Sequence, residues 1–288
     1  MSKFSDKIRR DFKANDDIRD AGLTTPNDVA RYDDIRYGDA APEQVLDVYR
    51  PRYAVGRRLP VIVSVHGGGW VYGDKERYQY YCMSLVQRGF AVVNFTYRLA
   101  PEWKYPAGME DTNAVFSWVL AHATEYGFDA EHVFGVGDSA GAHMLAIYGC
   151  ICSNPDYAAR YAFAPPAGFK PTAVALNCGA YIMSDGRSDA MAALLPGGGT
   201  DEELDLISPF NHLTGDFPPA FVMTSNDDFL KVEALPLVEK LMALEVPFVF
   251  RFYGDRETRL SHVFHCDLRS PEGARCNDEE CRWFRRFV

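Results

Sequence analysis

No stretch of this 288-residue chain reaches the length of unbroken apolar sequence that a membrane-spanning helix requires. Residues 1–20 are polar and charged and lack the apolar centre of a secretory leader, so the expectation is a cytoplasmic protein without a membrane span. Positive charge is in short supply: 30 Lys and Arg against 40 Asp and Glu leave a net charge of -10, which argues against nucleic acid as a partner. The one arginine-rich patch, Arg282, Arg285 and Arg286, alternates with aromatics and is assigned to the outer face of a last helix. Paired CxxC motifs are missing, and seven cysteines are an odd number, as expected of free thiols in a reducing compartment. Cys266, Cys276 and Cys281 lie near His262 and His265 in sequence, but without such a pair they read as thiols rather than zinc ligands, and no metal is expected. Internal repeats and low-complexity tracts are absent too.

What is present suits a large core: 47% of residues are hydrophobic and 24% charged. Residues 1–30 read as one or two amphipathic helices, with Phe4, Ile8, Phe12 and Ile18 at helical spacing and Thr25-Pro26 as a capping signal. Segments 35–37 and 45–49 alternate like half-buried strands of an antiparallel edge, whereas 59–65 is continuously apolar, the mark of a strand covered on both faces. Helices over 75–88, 109–126 and 232–244 then alternate with strands over 91–96, 133–136, 172–177, 220–224 and 248–253. A closing helix over 277–288 is expected, with Asn277 as its N-cap. This order predicts an α/β fold, a mostly parallel central sheet with helices on both faces, in one domain spanning 1–288. Residues 1–34 and an insertion over 181–217, which carries Gly197-Gly198-Gly199, are assigned to a small lid.

Two motifs carry chemistry. Gly137-Asp138-Ser139-Ala140-Gly141 stands between an apolar strand and an apolar helix, the setting of a nucleophile elbow, in which a Ser in a strained turn presents its hydroxyl at the carboxyl edge of a sheet. Alone, that pattern would arise by chance in roughly one such chain in ten. His66-Gly67-Gly68-Gly69-Trp70, where the third strand ends, is more telling, since bare backbone there can aim N–H groups at a tetrahedral oxyanion. A Ser hydroxyl needs a base, and the base needs an orienting acid. Asp227 and Asp228 follow one late strand and His262 follows the next, the chain order of α/β-hydrolases.

With Tyr97-Arg98-Leu99-Ala100-Pro101-Glu102 added, and with Asp228-Phe229-Leu230 and His262-Val263-Phe264, the chain resembles the hormone-sensitive-lipase-like branch of the α/β-hydrolase family, which includes acetyl esterases and other carboxylesterases. The resemblance implies Ser139 as nucleophile, His262 as general base and then acid, and Asp228 as its orienter. Asp227 is the rival, set aside because the family's acid directly precedes a residue-Leu pair. It implies an oxyanion hole from the amides of Gly67, Gly68 and Ala140, no cofactor, and a small-molecule ester as substrate. Departures are Val263, where the family has Gly, and Ala142, where it often has a second Gly. Trp70, Tyr72, Tyr181, Phe229 and Phe264 are expected to flank the substrate. His143 and His66 are read as structural, Arg98 and Glu102 as an ion pair bracing the glycine loop, and Glu110 and Asp111 as acids answering a helix dipole. The expected activity is hydrolysis of short-chain acyl esters through an acyl-enzyme. An arylformamidase-type amidase and a non-catalytic small-molecule binder are the alternatives, and a homodimer is left open.

Overall fold

In the computed structural model, which describes residues 3–40, 42–184 and 188–288, the apolar runs assemble into one twisted sheet. Its strands are β1 (Val29–Arg36), β2 (Val45–Pro51), β3 (Leu59–Val65), β4 (Ala91–Phe95), β5 (Phe128–Asp138), β6 (Ala173–Asn177), β7 (Ala220–Ser225) and β8 (Phe248–Tyr253). They lie in the order β1-β2-β4-β3-β5-β6-β7-β8, with β1, β2 and β4 paired antiparallel and the rest parallel. The helices are α1 (Lys3–Asp20), α2 (Lys75–Gln87), α3 (Ala107–Ala121), α4 (Ala123–Tyr126), α5 (Ala140–Ser153), α6 (Pro155–Ala158), α7 (Asp189–Leu194), α8 (Asp201–Leu206), α9 (Pro209–His212), α10 (Lys231–Ala243) and α11 (Pro271–Phe284).

The period-2 geometry of a strand divides the core in two. Val61, Val63 and Val65 of β3 face one layer with α3, α5 and α10, while Ile62 faces the other with α2 and α11. Because both faces are covered, β3 and β4 are largely apolar, and the polar side chains they carry, Ser64 and Asn94, are buried. This is the fold class the element order predicts, and it brings the carboxyl ends of β3, β5, β7 and β8 to one rim.

Several boundaries depart from the sequence reading. Thr25-Pro26 heads no helix; the chain turns there, with Val29 N–H on the Pro26 carbonyl, and enters β1, so residues 29–34 belong to the sheet. The stretch over 109–126 breaks at His122 into α3 and α4 and ends at Gly127, whose φ of 62° closes the helix. Asn277 caps nothing. Ser270 accepts from Gly273 N–H and Pro271 occupies the first turn, a stronger start, so α11 begins earlier and Asn277 is buried in its middle with its amide on the His265 carbonyl. The insertion holds three short helices, α7 to α9, one opened by a capping box of Thr200 and Glu203; its residues 185–187 lie outside the described residues. No helix among the described residues is long and apolar enough to cross a membrane.

Candidate active site

Ser139 follows the last residue of β5 and immediately precedes α5, at φ 51° and ψ -118°, a conformation sparsely populated by non-glycine residues. Such strain persists only where the surroundings over-determine it. The Ser139 N–H is held by the Asn177 carbonyl of β6 at 2.9 Å, and its own carbonyl receives His143 N–H at 3.0 Å. The flanking glycines are required by close approach. A Cβ on Gly141 would stand 1.9 Å from the Val65 carbonyl oxygen, and one on Gly137 would stand 2.6 Å from the Gly141 carbonyl.

His262, beyond β8, donates through Nδ1 to Asp228 Oδ1 at 2.7 Å. The Asp228 carboxylate, buried beyond β7, also accepts from the Thr224 hydroxyl at 2.8 Å and from Leu230 N–H at 2.9 Å. Burial pushes this carboxyl up, but the bond and charge of His262, with those two donors, prevail and hold it below the ordinary carboxylate range. An anion at Nδ1 fixes the tautomer that leaves Nε2 free to accept a proton. Asp227 faces elsewhere: it is half exposed, pairs with Arg259 at 2.7 Å, and its backbone bridges Ser261. Val263 adopts φ 53°, so the family's Gly at this place answers a left-handed backbone that Val here must tolerate.

Ser139 and His262 line one cavity of about 520 Å³ together with Gly67, Gly68 and Asp138. Tyr72, Phe229 and Phe264 supply aromatic wall, and the Phe229 ring lies 4.3 Å from that of His262. Phe12, Asp16, Ile18 and Arg19 of α1 form the other side. α1 is fastened by Arg9, which donates to the Val71 and Ala100 carbonyls and to Glu102, and by Asp16, which receives the Tyr72 hydroxyl at 2.8 Å.

The glycine loop requires a correction. The Gly67 N–H is already donated to the Tyr78 hydroxyl at 3.0 Å, and that hydroxyl donates to Asp138 at 2.8 Å, so the Gly67 amide is not available to an oxyanion. A Cβ on Gly67 would stand 2.5 Å from the same carboxylate. Among the described residues the Gly68 and Gly69 amides have no acceptor, and Ala140 opens α5, where the first amides of a helix lack intrahelical partners. Burial raises the Asp138 carboxyl to about 6, against the Tyr78 bond and the charges of His262 and Arg19. His66 donates through Nδ1 to the Gly67 carbonyl at 2.8 Å and stacks on Tyr97, and burial lowers it to about 4, a neutral brace.

Two expected wall residues lie elsewhere. Trp70 turns its indole N–H onto His143 Nδ1 at 3.1 Å and lines a separate hollow with Trp103 and Tyr105. Tyr181 is buried in the core with its hydroxyl on the Leu176 carbonyl, because Gly179 leaves room for the ring to fold inward. His143 is structural, its Nε2 donating to the Ile207 carbonyl at 2.7 Å. Arg98 does not pair with Glu102. Its guanidinium binds Asp111 and Glu110, Asp111 being fully buried, while Glu102 serves Arg9. The sequence reading missed Tyr78 and the α1 residues Asp16 and Arg19; a tyrosine at helical spacing gives no signal of its own, but the apolar face of α1 did.

Two groups, Asp138 with His265 and Cys266, and Cys178 with Asp228 and His262, lie close enough to hold a cation. In these groups His262 holds Asp228, Cys266 lies 3.7 Å from His265 Nε2, and burial raises both thiols well above their ordinary value. All seven cysteines are free.

A strained serine at a strand-to-helix turn, with a His–Asp pair from the loops after the last two strands of a mostly parallel sheet, has the form of an α/β-hydrolase site. Residues 62–265 match the family described as alpha/beta hydrolase fold, and the chain belongs to that family, in the hormone-sensitive-lipase-like branch that its motifs resemble. It is 35% identical over 129 residues to the esterase LipQ of Mycobacterium tuberculosis (44% of this chain, 31% of that protein). To the carboxylesterase NlhH of the same organism it is 33% identical over 216 residues (69% of this chain, 65% of that protein). The matches thus span about a third and just under two thirds of those relatives' lengths. Esterase B from Lactobacillus rhamnosis, solved with a tributyrin phosphonate, superposes with a TM-score of 0.88 at 28% identity, covering 96% of this chain and 92% of that one.

Proposed function

We propose that the protein is a serine carboxylesterase acting on short-chain, acetyl-type esters through an acyl-enzyme. The observation that carries this reading is the buried Asp228 carboxylate 2.7 Å from Nδ1 of His262, a residue that shares its cavity wall with the strained Ser139. His262 Nε2 takes the Ser139 proton as Oγ attacks the ester carbonyl. The resulting oxyanion lies against the amides of Gly68, Gly69 and Ala140, in place of Gly67. Collapse expels the alcohol, which receives the proton from His262, and water repeats the sequence to release the acid. Asp228 keeps the imidazole in the required tautomer and balances its transient charge.

Tyr72, Phe229 and Phe264 flank the acyl and alcohol groups, and α1 with α7 to α9 acts as the lid of a single catalytic domain. The tributyrin phosphonate seen on Esterase B supports acyl chains of a few carbons, which a cavity of about 520 Å³ lined on one side by Phe12 can hold. Seven unpaired thiols support a reducing, cytoplasmic setting. No observation favours the amidase reading. The test is a series of p-nitrophenyl esters from acetate upward: turnover highest at two to four carbons and abolished by Ser139→Ala is expected. Activity that survives this substitution, or grows toward long chains, rejects the proposal.

A further inference from the structure

α11 packs beneath the catalytic turn, and one of its residues has no part in the chemistry above. Glu280 is fully buried, and no Lys, Arg or His forms an ion pair with it among the described residues. A buried carboxyl without a counter-charge is costly to keep, so its retention asks for a reason. Its two oxygens are both engaged: Oε1 receives the Tyr81 hydroxyl at 3.1 Å and Oε2 receives the Asn177 side-chain amide at 2.6 Å. Asn177 is the last residue of β6, and Cys178 after it turns away at φ 50°. Past Asn177 the sheet holds the chain by one remaining bond, Cys178 N–H on the Met223 carbonyl of β7 at 2.8 Å, while the Asn177 carbonyl holds the Ser139 N–H at 2.9 Å. The Asn177 Oδ1 has no partner among the described residues, so its bond to Glu280 is the one polar tie on that side chain.

We propose that Glu280 is a positioning residue for the nucleophile: by gripping the Asn177 side chain it fixes the carbonyl that anchors the strained Ser139 amide. The proposal rests on Ser139 being the nucleophile. The route is short, from Glu280 Oε2 through the Asn177 side chain to its carbonyl and then to the Ser139 backbone. With the tie removed, the Asn177–Cys178 peptide is held on the sheet only by its Cys178 N–H bond to Met223 and can pivot about it, so that Ser139 can leave the left-handed conformation. A loose nucleophile costs turnover rather than substrate binding.

The experiment measures kcat, KM and the second-order rate of phosphonylation by a p-nitrophenyl alkylphosphonate for Glu280→Ala, Glu280→Gln, Asn177→Ala and the double alanine variant, with thermal unfolding of each and Ser139→Ala alongside. Expected are a fall in kcat of about tenfold or more in Glu280→Ala and Asn177→Ala, matched by phosphonylation, with KM within about twofold. Glu280→Gln, which keeps an acceptor toward Asn177 and a partner for Tyr81, recovers most of the lost turnover. The double variant is no slower than the worse single one, because both changes cut the same tie. A folded Glu280→Ala protein with kcat within about twofold of wild type overturns the proposal, as does a double variant whose losses multiply. If Glu280→Ala does not fold, Glu280→Asp, one methylene short of Asn177, is measured by the same criteria. Activity retained in Ser139→Ala instead defeats the nucleophile assignment itself, a result distinct from either.

Discussion

The Tyr78 hydroxyl stands 3.0 Å from the Gly67 amide, accepting the hydrogen bond that the glycine loop would otherwise point elsewhere. By donating onward to Asp138 at 2.8 Å, it ties the loop after β3 to the residue directly before Ser139. The glycine loop and the turn that carries Ser139 thus share one buried hydrogen-bonded link.

Tyr78→Phe removes that link without changing ring shape. The Gly67 amide and the Asp138 carboxyl lose a buried partner, at a cost of about 1–3 kcal/mol. The expected result is a lower midpoint in urea denaturation together with roughly a tenfold fall in kcat and little change in KM. Wild-type turnover would show that the glycine loop keeps its shape without Tyr78.

Asp228 and Asp227 are adjacent in sequence but face different surroundings. Asp228→Asn replaces the carboxylate facing His262 Nδ1 with an amide and favours the wrong tautomer, so kcat falls by roughly a thousandfold or more. Asp227→Asn removes only an exposed pair with Arg259 and leaves turnover within about threefold. Steady-state kinetics on a short-chain p-nitrophenyl ester decides, and the reverse ranking would move the orienting role to Asp227.

Arg9 ties α1 to the loops bearing Val71, Ala100 and Glu102. Arg9→Ala loosens one wall of the cavity while leaving Ser139, His262 and Asp228 in place. KM is expected to rise by about threefold to tenfold with kcat within about twofold, read from saturation curves on p-nitrophenyl butyrate. Unchanged KM would mean that α1 does not shape substrate binding.

Burial, opposed by the bonds from Asn177 and Tyr81, pushes the Glu280 carboxyl up to about 7 from an unfolded value of 4.5. A folded-state value above the unfolded one means that protonation favours the fold. The contribution is therefore whole below about 4.5 and is lost as pH rises to about 7. Glu280→Gln has no such loss, so its stability relative to wild type should grow between pH 5 and 7 by on the order of 2–3 kcal/mol and level off above. Urea denaturation of both proteins at pH 5, 6, 7 and 8 measures it; a difference that does not vary with pH would show that Glu280 keeps its charge in the folded protein.

Local sequence determined a good deal here. β3 is legible as an apolar, β-branched run because a strand buried on both faces admits little else. The two motifs are legible because only glycine fits where Val65 passes within 1.9 Å of a would-be Cβ on Gly141, or where Gly68 takes φ 120°. The preference for Asp228 over Asp227 came from the family's pattern, since two adjacent acids after a strand look alike until β8 and its loop bring His262 to one of them.

Tertiary structure alone decided the rest. That Gly67 spends its amide on Tyr78 depends on α2 lying under the loop, and that Arg98 takes Asp111 while Glu102 takes Arg9 depends on how α1 and α3 pack. Trp70 and Tyr181 point away from the cavity because better partners, His143 and the Leu176 carbonyl, lie on the other side. A side chain's direction is set by which distant donors and acceptors remain unpaired once the sheet has formed, and that competition among contacts far apart in the chain leaves no mark in local composition or spacing.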